Sequence, residues 1–100
     1  MIHLQKVVSD FNIKHHVKMK RSTRILDLTS EVGEVCKLTF SEDVGNYICN
    51  NKWEEELGDV LYSLLSLMND LDIHCETALN NVLEKYKNRL EKQNSMSSNL

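Results

Sequence analysis

The sequence predicts an all-α, four-helix, bundle-type domain that needs dimerisation to complete its core. Three observations carry this. The 100-residue chain has no proline and only three glycines. Apolar residues recur at helical spacing in four segments, with few strand-like alternations. The third segment is apolar around most of its circumference, and such a helix must be covered on most sides.

The first helix is expected over about residues 2–17, with Leu4, Val7, Val8, Phe11 and His15 along one side. Lys18 to Arg21 forms a basic connection. The second helix is expected to start near Ser22 or Thr23, either of which can cap the first amides. Ile25, Leu28, Val32, Val35 and Thr39 continue it at helical spacing. Residues 41–50 read as a loop, with Gly45-Asn46 as its turn signal.

The third helix is expected to be capped by Asn51, with Glu54 three residues on completing a capping-box pattern. Its apolar face runs through Leu57, Val60, Leu61, Leu64, Leu67, Met68 and Leu71, and Tyr62 and Leu65 extend it around the cylinder. Asp72 is the expected cap of the fourth helix, which turns Ile73, Leu79, Val82, Tyr86 and Leu90 inward. The domain is drawn at residues 1–93, and the polar segment 94–100 reads as a flexible tail.

Composition removes several function classes. The net charge is −3, so the basic footprint of a nucleic-acid binder is missing. No apolar run approaches the ~20 residues of a membrane span, and no signal-peptide pattern opens the chain. Three cysteines, Cys36, Cys49 and Cys75, fit no zinc spacing and read as reduced thiols. A cytoplasmic location is the expectation. No Gly-rich phosphate loop, nucleophile elbow or His-x-x-x-His pair on a site face is present.

The chemistry lies in two acidic motifs, Glu31-Val32-Gly33-Glu34 and Glu56-Leu57-Gly58-Asp59. Residues three apart share one face of a helix, so each motif aims two carboxylates the same way. Asp27 joins the first pair one turn earlier, and Ser63 the second pair one turn later. Glutamates on helices are ordinarily solvated charges. These abut the apolar stripe instead, and each motif spends about 1 kcal/mol on a mid-helix glycine relative to alanine. That glycine is explicable where another helix or a ligand approaches closely. Two such helices packed together would gather four carboxylates, Glu31, Glu34, Glu56 and Asp59. Four acids in a partly desolvated place require a cation, and oxygen ligands suit Mg²⁺, with Mn²⁺ as a substitute.

The motifs, with the wording "SEVGEV" and "EEELGDVLYSLL", resemble the E-x-x-E…E-x-x-D signature of the MazG-like all-α nucleoside triphosphate pyrophosphohydrolases. "ALNNVLEKYKNRL" resembles that family's last helix, through Ala78, Lys85, Tyr86 and Arg89. The resemblance covers about residues 20–92. One departure is Ser30, where the family often carries a further glutamate. The resemblance implies Mg²⁺-dependent cleavage between the α and β phosphates, giving a nucleoside monophosphate and pyrophosphate. It also implies that Glu34 orients or deprotonates the attacking water and that Glu31, Glu56 and Asp59 are chiefly metal ligands. Enzymes directed at dUTP, dCTP or phosphoribosyl-ATP share this arrangement. The rival from another class is a non-catalytic helical dimerisation or nucleotide-sensing module.

Lys85 and Arg89, one turn apart, are candidates for phosphate contacts, as a point charge and a bidentate fork respectively. Trp53, Phe11 and His15 are candidates for base stacking. The expected partners are a nucleotide and a second copy of the chain, as a homodimer or a dimer of dimers. Leu61, Leu65 and Met68 lie away from the acidic face and are the expected interface residues.

Overall fold

The computed structural model describes residues 3–93. Among them stand four helices and no strand: α1 (Leu4–Lys14), α2 (Arg21–Asp43), α3 (Asn50–Asp70) and α4 (Cys75–Gln93). The all-α expectation holds. The segment 94–100 lies outside the described residues.

The first three helices end in the same way. His16, Gly45 and Asp72 adopt left-handed φ values of 55°, 101° and 56°. In each case the amide of that residue and the next turn back onto the last carbonyls of the helix. His16 donates to Ile13 O and Val17 to Asn12 O; Gly45 donates to Glu42 O and Asn46 to Ser41 O; Asp72 donates to Asn69 O and Ile73 to Met68 O. This is the Schellman arrangement, which satisfies carbonyls the helix leaves orphaned. Gly45 enters the left-handed region without steric cost, as the Gly45-Asn46 turn signal suggests.

These stops correct several boundaries. α1 ends at Lys14 rather than 17, because the reversal at His16 closes it. α2 runs on to Asp43, where the reversal at Gly45 stops it, so the loop is shorter than residues 41–50. α3 begins at Asn50 with Cys49 as N-cap, which leaves Asn51 inside the helix and without a capping role. Asp72 closes α3 instead of capping α4. The first amide of α4, Cys75 N–H, donates instead to Gln5 Oε1 at 2.7 Å, so a side chain from α1 serves that terminus.

α3 is the central element, packed against α2 on one side and α1 on the other; α4 makes only marginal contact with the rest. The α1–α3 seam is polar. Tyr62 Oη donates to Asn12 Oδ1 at 2.6 Å, and Asn12 Nδ2 donates to the fully buried Ser66 Oγ at 3.1 Å. Gln5 Nε2 donates to Ile73 O at 2.7 Å, and Asn69 Nδ2 donates to Gln5 O at 2.9 Å. The α2–α3 seam is polar as well, with Arg24, Glu56 and Ser63 buried in it. No buried side-chain nitrogen or oxygen among the described residues lacks a partner, which is what makes burial of such groups tolerable.

The apolar core of one chain is correspondingly thin: among the described residues, Leu38 and Leu65 are the buried hydrophobic ones. Leu65, at 4% exposure, belongs to this intrachain core, which corrects its assignment to a subunit interface. Leu61 is exposed and Met68 half-buried. Leu57, Leu61 and Leu64 leave one stripe of α3 open, and α4 buries no residue, so its stripe of Leu79, Leu83 and Leu90 is open too. The radius of gyration is 16.6 Å, against about 13 Å for a compact 100-residue domain.

Candidate metal centre

Helical spacing and the α2–α3 packing together bring Glu31, Glu56 and Asp59 to one place. One carboxylate oxygen from each lies within 4.8 Å of the others. Glu56 is buried, Glu31 half-buried and Asp59 exposed, so the group forms a cup with a closed floor and an open rim.

The electrostatics of the cup are those of crowded like charges. The Glu31 carboxyl is held above its ordinary value, first by desolvation and then by the charges of Asp59, Asp27, Glu56 and Glu34. Glu56 has a cationic neighbour: Lys52 Nζ, one turn earlier on α3, stands 3.0 Å from its Oε1. The Lys52 ammonium is raised in turn, chiefly by that hydrogen bond. Asp27 is fixed at the edge of the cup, accepting a 2.7 Å hydrogen bond from Ser63 Oγ. Lys52 is a residue that the motif reading passed over. Its signal was present as a lysine four residues before Glu56, the spacing of a helical ion pair.

Glu34 stands apart from the three. Its Oε1 accepts from Lys37 Nζ at 3.1 Å, and its side chain is 43% exposed. Its charge still reaches Glu31. Gly33 and Gly58 open space beside the motifs: a Cβ at either position would meet no other element within 4 Å among the described residues, so no neighbouring helix there requires them.

The remaining candidates divide. Phe11 and His15 lie tilted at 43° to each other with ring centroids 4.5 Å apart, and Phe11 meets Tyr62 edge-on at 6.1 Å, which makes a small aromatic group on the α1–α3 seam. Trp53, half-buried in the first turn of α3, is no part of that group. Lys85 and Arg89 line a shallow groove on α4 with Asn81, Glu84 and Asn88, and Lys85 Nζ lies 5.4 Å from the Tyr86 ring centre. α4 makes only marginal contact with α2 and α3, and the three clustered carboxylates come from those two helices.

Three oxygen donors around a single point, short of neutralising cations, have the chemistry of a hard divalent-metal site. Comparison with known families gives the same direction. The family model of the MazG nucleotide pyrophosphohydrolase domain matches residues 19–93, three-quarters of the chain. The chain belongs to this family. The match takes in both acidic motifs, Lys85 and Arg89. It begins after α1, so Phe11 and His15 precede it. No curated protein and no solved structure matches the chain. Membership of the MazG family points to nucleotide pyrophosphohydrolase activity. No helix among the described residues is long and apolar enough to cross a membrane.

Proposed function

We propose that this MazG domain hydrolyses nucleoside triphosphates to monophosphate and pyrophosphate, with Mg²⁺ or Mn²⁺ as cofactor. The observation that supports it most is the convergence of Glu31, Glu56 and Asp59 within 4.8 Å, with the Glu31 carboxyl raised by its neighbours. A divalent cation fits these donors, since it would replace their mutual repulsion with coordination.

Held by Glu31, Glu56 and Asp59, such a cation would supply charge neutralisation at the phosphates and a more acidic attacking water. The chain's own groups do the rest. Lys52 holds Glu56 against rotation, and Ser63 holds Asp27, so the floor of the cup is fixed before substrate arrives. Glu34, one turn beyond Glu31, takes the proton of the attacking water on a carboxylate oxygen, with Lys37 orienting that carboxylate. Lys85 and Arg89 contact the phosphates of the leaving group. The open stripes of α3 and α4 favour a homodimer, and a second copy is the means by which an α4 helix reaches an acidic cup.

The test is pyrophosphate release from a panel of standard and non-standard triphosphates, with and without Mg²⁺. Release that depends on Mg²⁺ and vanishes in Asp59→Asn is expected, and the panel assigns the base. Absence of turnover on every member, with nucleotide binding intact, would instead favour a sensing module.

A further inference from the structure

The acidic cup carries a positive charge of the chain's own. Lys52 Nζ stands 3.0 Å from Glu56 Oε1 and 3.9 Å from Glu55 Oε2. Its ammonium is held above the ordinary lysine value first by the hydrogen bond to Glu56, then by the charges of Glu55, Glu56 and Glu34. Glu34 lies on α2 and the other two on α3, so Lys52 feels carboxylates of both acidic helices. The Glu56 side chain is 10% exposed and that of Lys52 45%. The pair therefore joins a carboxylate in the floor of the cup to a cation with an open path to water.

Helix stability does not account for a lysine at this position. Lys52 is the third residue of α3, in a first turn that holds no acid. A cation at a helix N-terminus opposes the helix dipole. A lysine four residues before its glutamate is also the weaker order for a helical ion pair. What Lys52 does supply is charge compensation. A buried carboxylate without a partner is destabilising, and Glu56 is one of three acids that converge within 4.8 Å. A divalent cation held by Glu31, Glu56 and Asp59 would meet this ammonium by either of two routes. It takes the oxygen that Lys52 holds, or it takes the other oxygen of the same carboxylate, close to a like charge. Both routes lower its affinity. Lys52 is exposed enough for its ammonium to withdraw into water, so the exchange needs no movement of a helix.

We propose that Lys52 is a resident counter-cation of the acidic cup, which competes with the divalent metal for Glu56 and sets how tightly the metal binds. The inference rests on the metal reading of the cup and adds to it a residue that tunes affinity. The bond that keeps Glu56 from rotating is thus also the bond that the metal displaces or tolerates.

The experiment is a calorimetric titration of the full chain with Mg²⁺, without nucleotide, at constant ionic strength and at a pH well above the carboxylate range. Lys52→Met keeps the length of the side chain and removes its charge; Lys52→Arg keeps the charge. Lys52→Met should bind Mg²⁺ about fivefold more tightly than the native chain or better, which is what one charge–charge contact at about 4 Å is worth in water. Lys52→Arg should stay close to the native affinity. In thermal scans with chelator Lys52→Met should melt below the native chain, and Mg²⁺ should raise it by more. A role confined to positioning Glu56 predicts the reverse, a loss of affinity in Lys52→Met. Equal or weaker Mg²⁺ binding by Lys52→Met with helical circular dichroism retained would overturn the proposal and leave the metal centre standing. Tighter binding by Lys52→Arg as well would also overturn it, since the charge would then not be the cause. Lys52→Gln reads the same difference should the methionine variant fold poorly. Binding detected in Lys52→Met alone supports the proposal. Absence of Mg²⁺ binding in the native chain and in every variant removes the metal reading and this inference with it.

Discussion

Ser63 Oγ donates a 2.7 Å hydrogen bond to Asp27 Oδ2 across the α2–α3 seam, one turn from the point where Glu31, Glu56 and Asp59 converge. Ser63 is 2% exposed, so water has little access to replace it. The bond therefore fixes the helices against each other where their acidic motifs meet. A hydrogen bond to a charged group is worth about 1.5–3 kcal/mol. Ser63→Ala should lower unfolding free energy by about that amount in urea melts. It should also weaken Mg²⁺ affinity, because the register of the two motifs loosens.

The acidic cup predicts a metal-dependent melting point. A ligand present at a hundred times its Kd stabilises the native state by about 2.7 kcal/mol, which is about 10 °C or more for a chain of this size. Mg²⁺ or Mn²⁺ should produce a rise of that order in a thermal scan. Glu56→Gln and Asp59→Asn should each remove most of it, and a melting curve unmoved by the metal at any concentration would exclude the site.

The helices and the acidic motifs were legible in the sequence because both depend on local spacing. Glu31 and Glu56 lie 25 positions apart, yet each sits beside an apolar stripe at helical period, and packing those stripes is what brings the motifs together. Helix ends were less legible. His16 and Asp72 take the left-handed conformation without being glycine, because the Schellman bonds that follow them compensate for the backbone cost, and a residue type alone does not announce that. The cap of α4 comes from Gln5, seventy positions away, which no local pattern contains. Leu65 and Leu61 look alike by periodicity; only the placement of the neighbouring helices makes one core and the other surface.

Glu34 is expected to act on the water and Asp59 on the metal. Glu34→Gln keeps shape and removes the base, so turnover should fall about a hundredfold or more while the melting point stays within a few degrees. The side chain is 43% exposed and pairs with the exposed Lys37 one turn along α2, so folding does not depend on it. Steady-state pyrophosphate release, normalised to folded protein, decides this. Near-native turnover would remove Glu34 from the mechanism.

The raised Glu31 carboxyl predicts how stability varies with pH. Its protonated form is favoured more in the folded chain than in the unfolded one, where the ordinary value is 4.5. The stabilisation from that proton is present in full below 4.5 and is lost as pH rises through the folded value. The metal-free protein should therefore show a decline across that window which Glu31→Gln lacks. Saturating Mg²⁺ should flatten it in the native chain, because the cation takes over the proton's role. Urea melts at a series of pH values, with and without chelator, measure both effects.

The exposure of Leu61 and the burial of Leu65 separate assembly from folding. Leu61 is 45% exposed on the open stripe of α3 that it shares with Leu57 and Leu64, whereas Leu65 is 4% exposed within the chain. A soluble monomer rarely presents so much contiguous apolar surface, and a homodimer interface resembles a domain core cut in two. Leu61→Asp should convert a dimer of the 11.6 kDa chain into a folded monomer, with helical circular dichroism retained. Leu65→Asp should unfold it, since even truncation of a buried leucine to alanine costs about 2–5 kcal/mol and a buried unpaired carboxylate costs more. Light scattering reads the mass and circular dichroism the fold. A native mass of one chain would refute the assembly. Loss of hydrolysis in the monomeric Leu61→Asp protein, with Mg²⁺ binding retained, is the result expected if Lys85 and Arg89 reach the acidic cup only from a second copy.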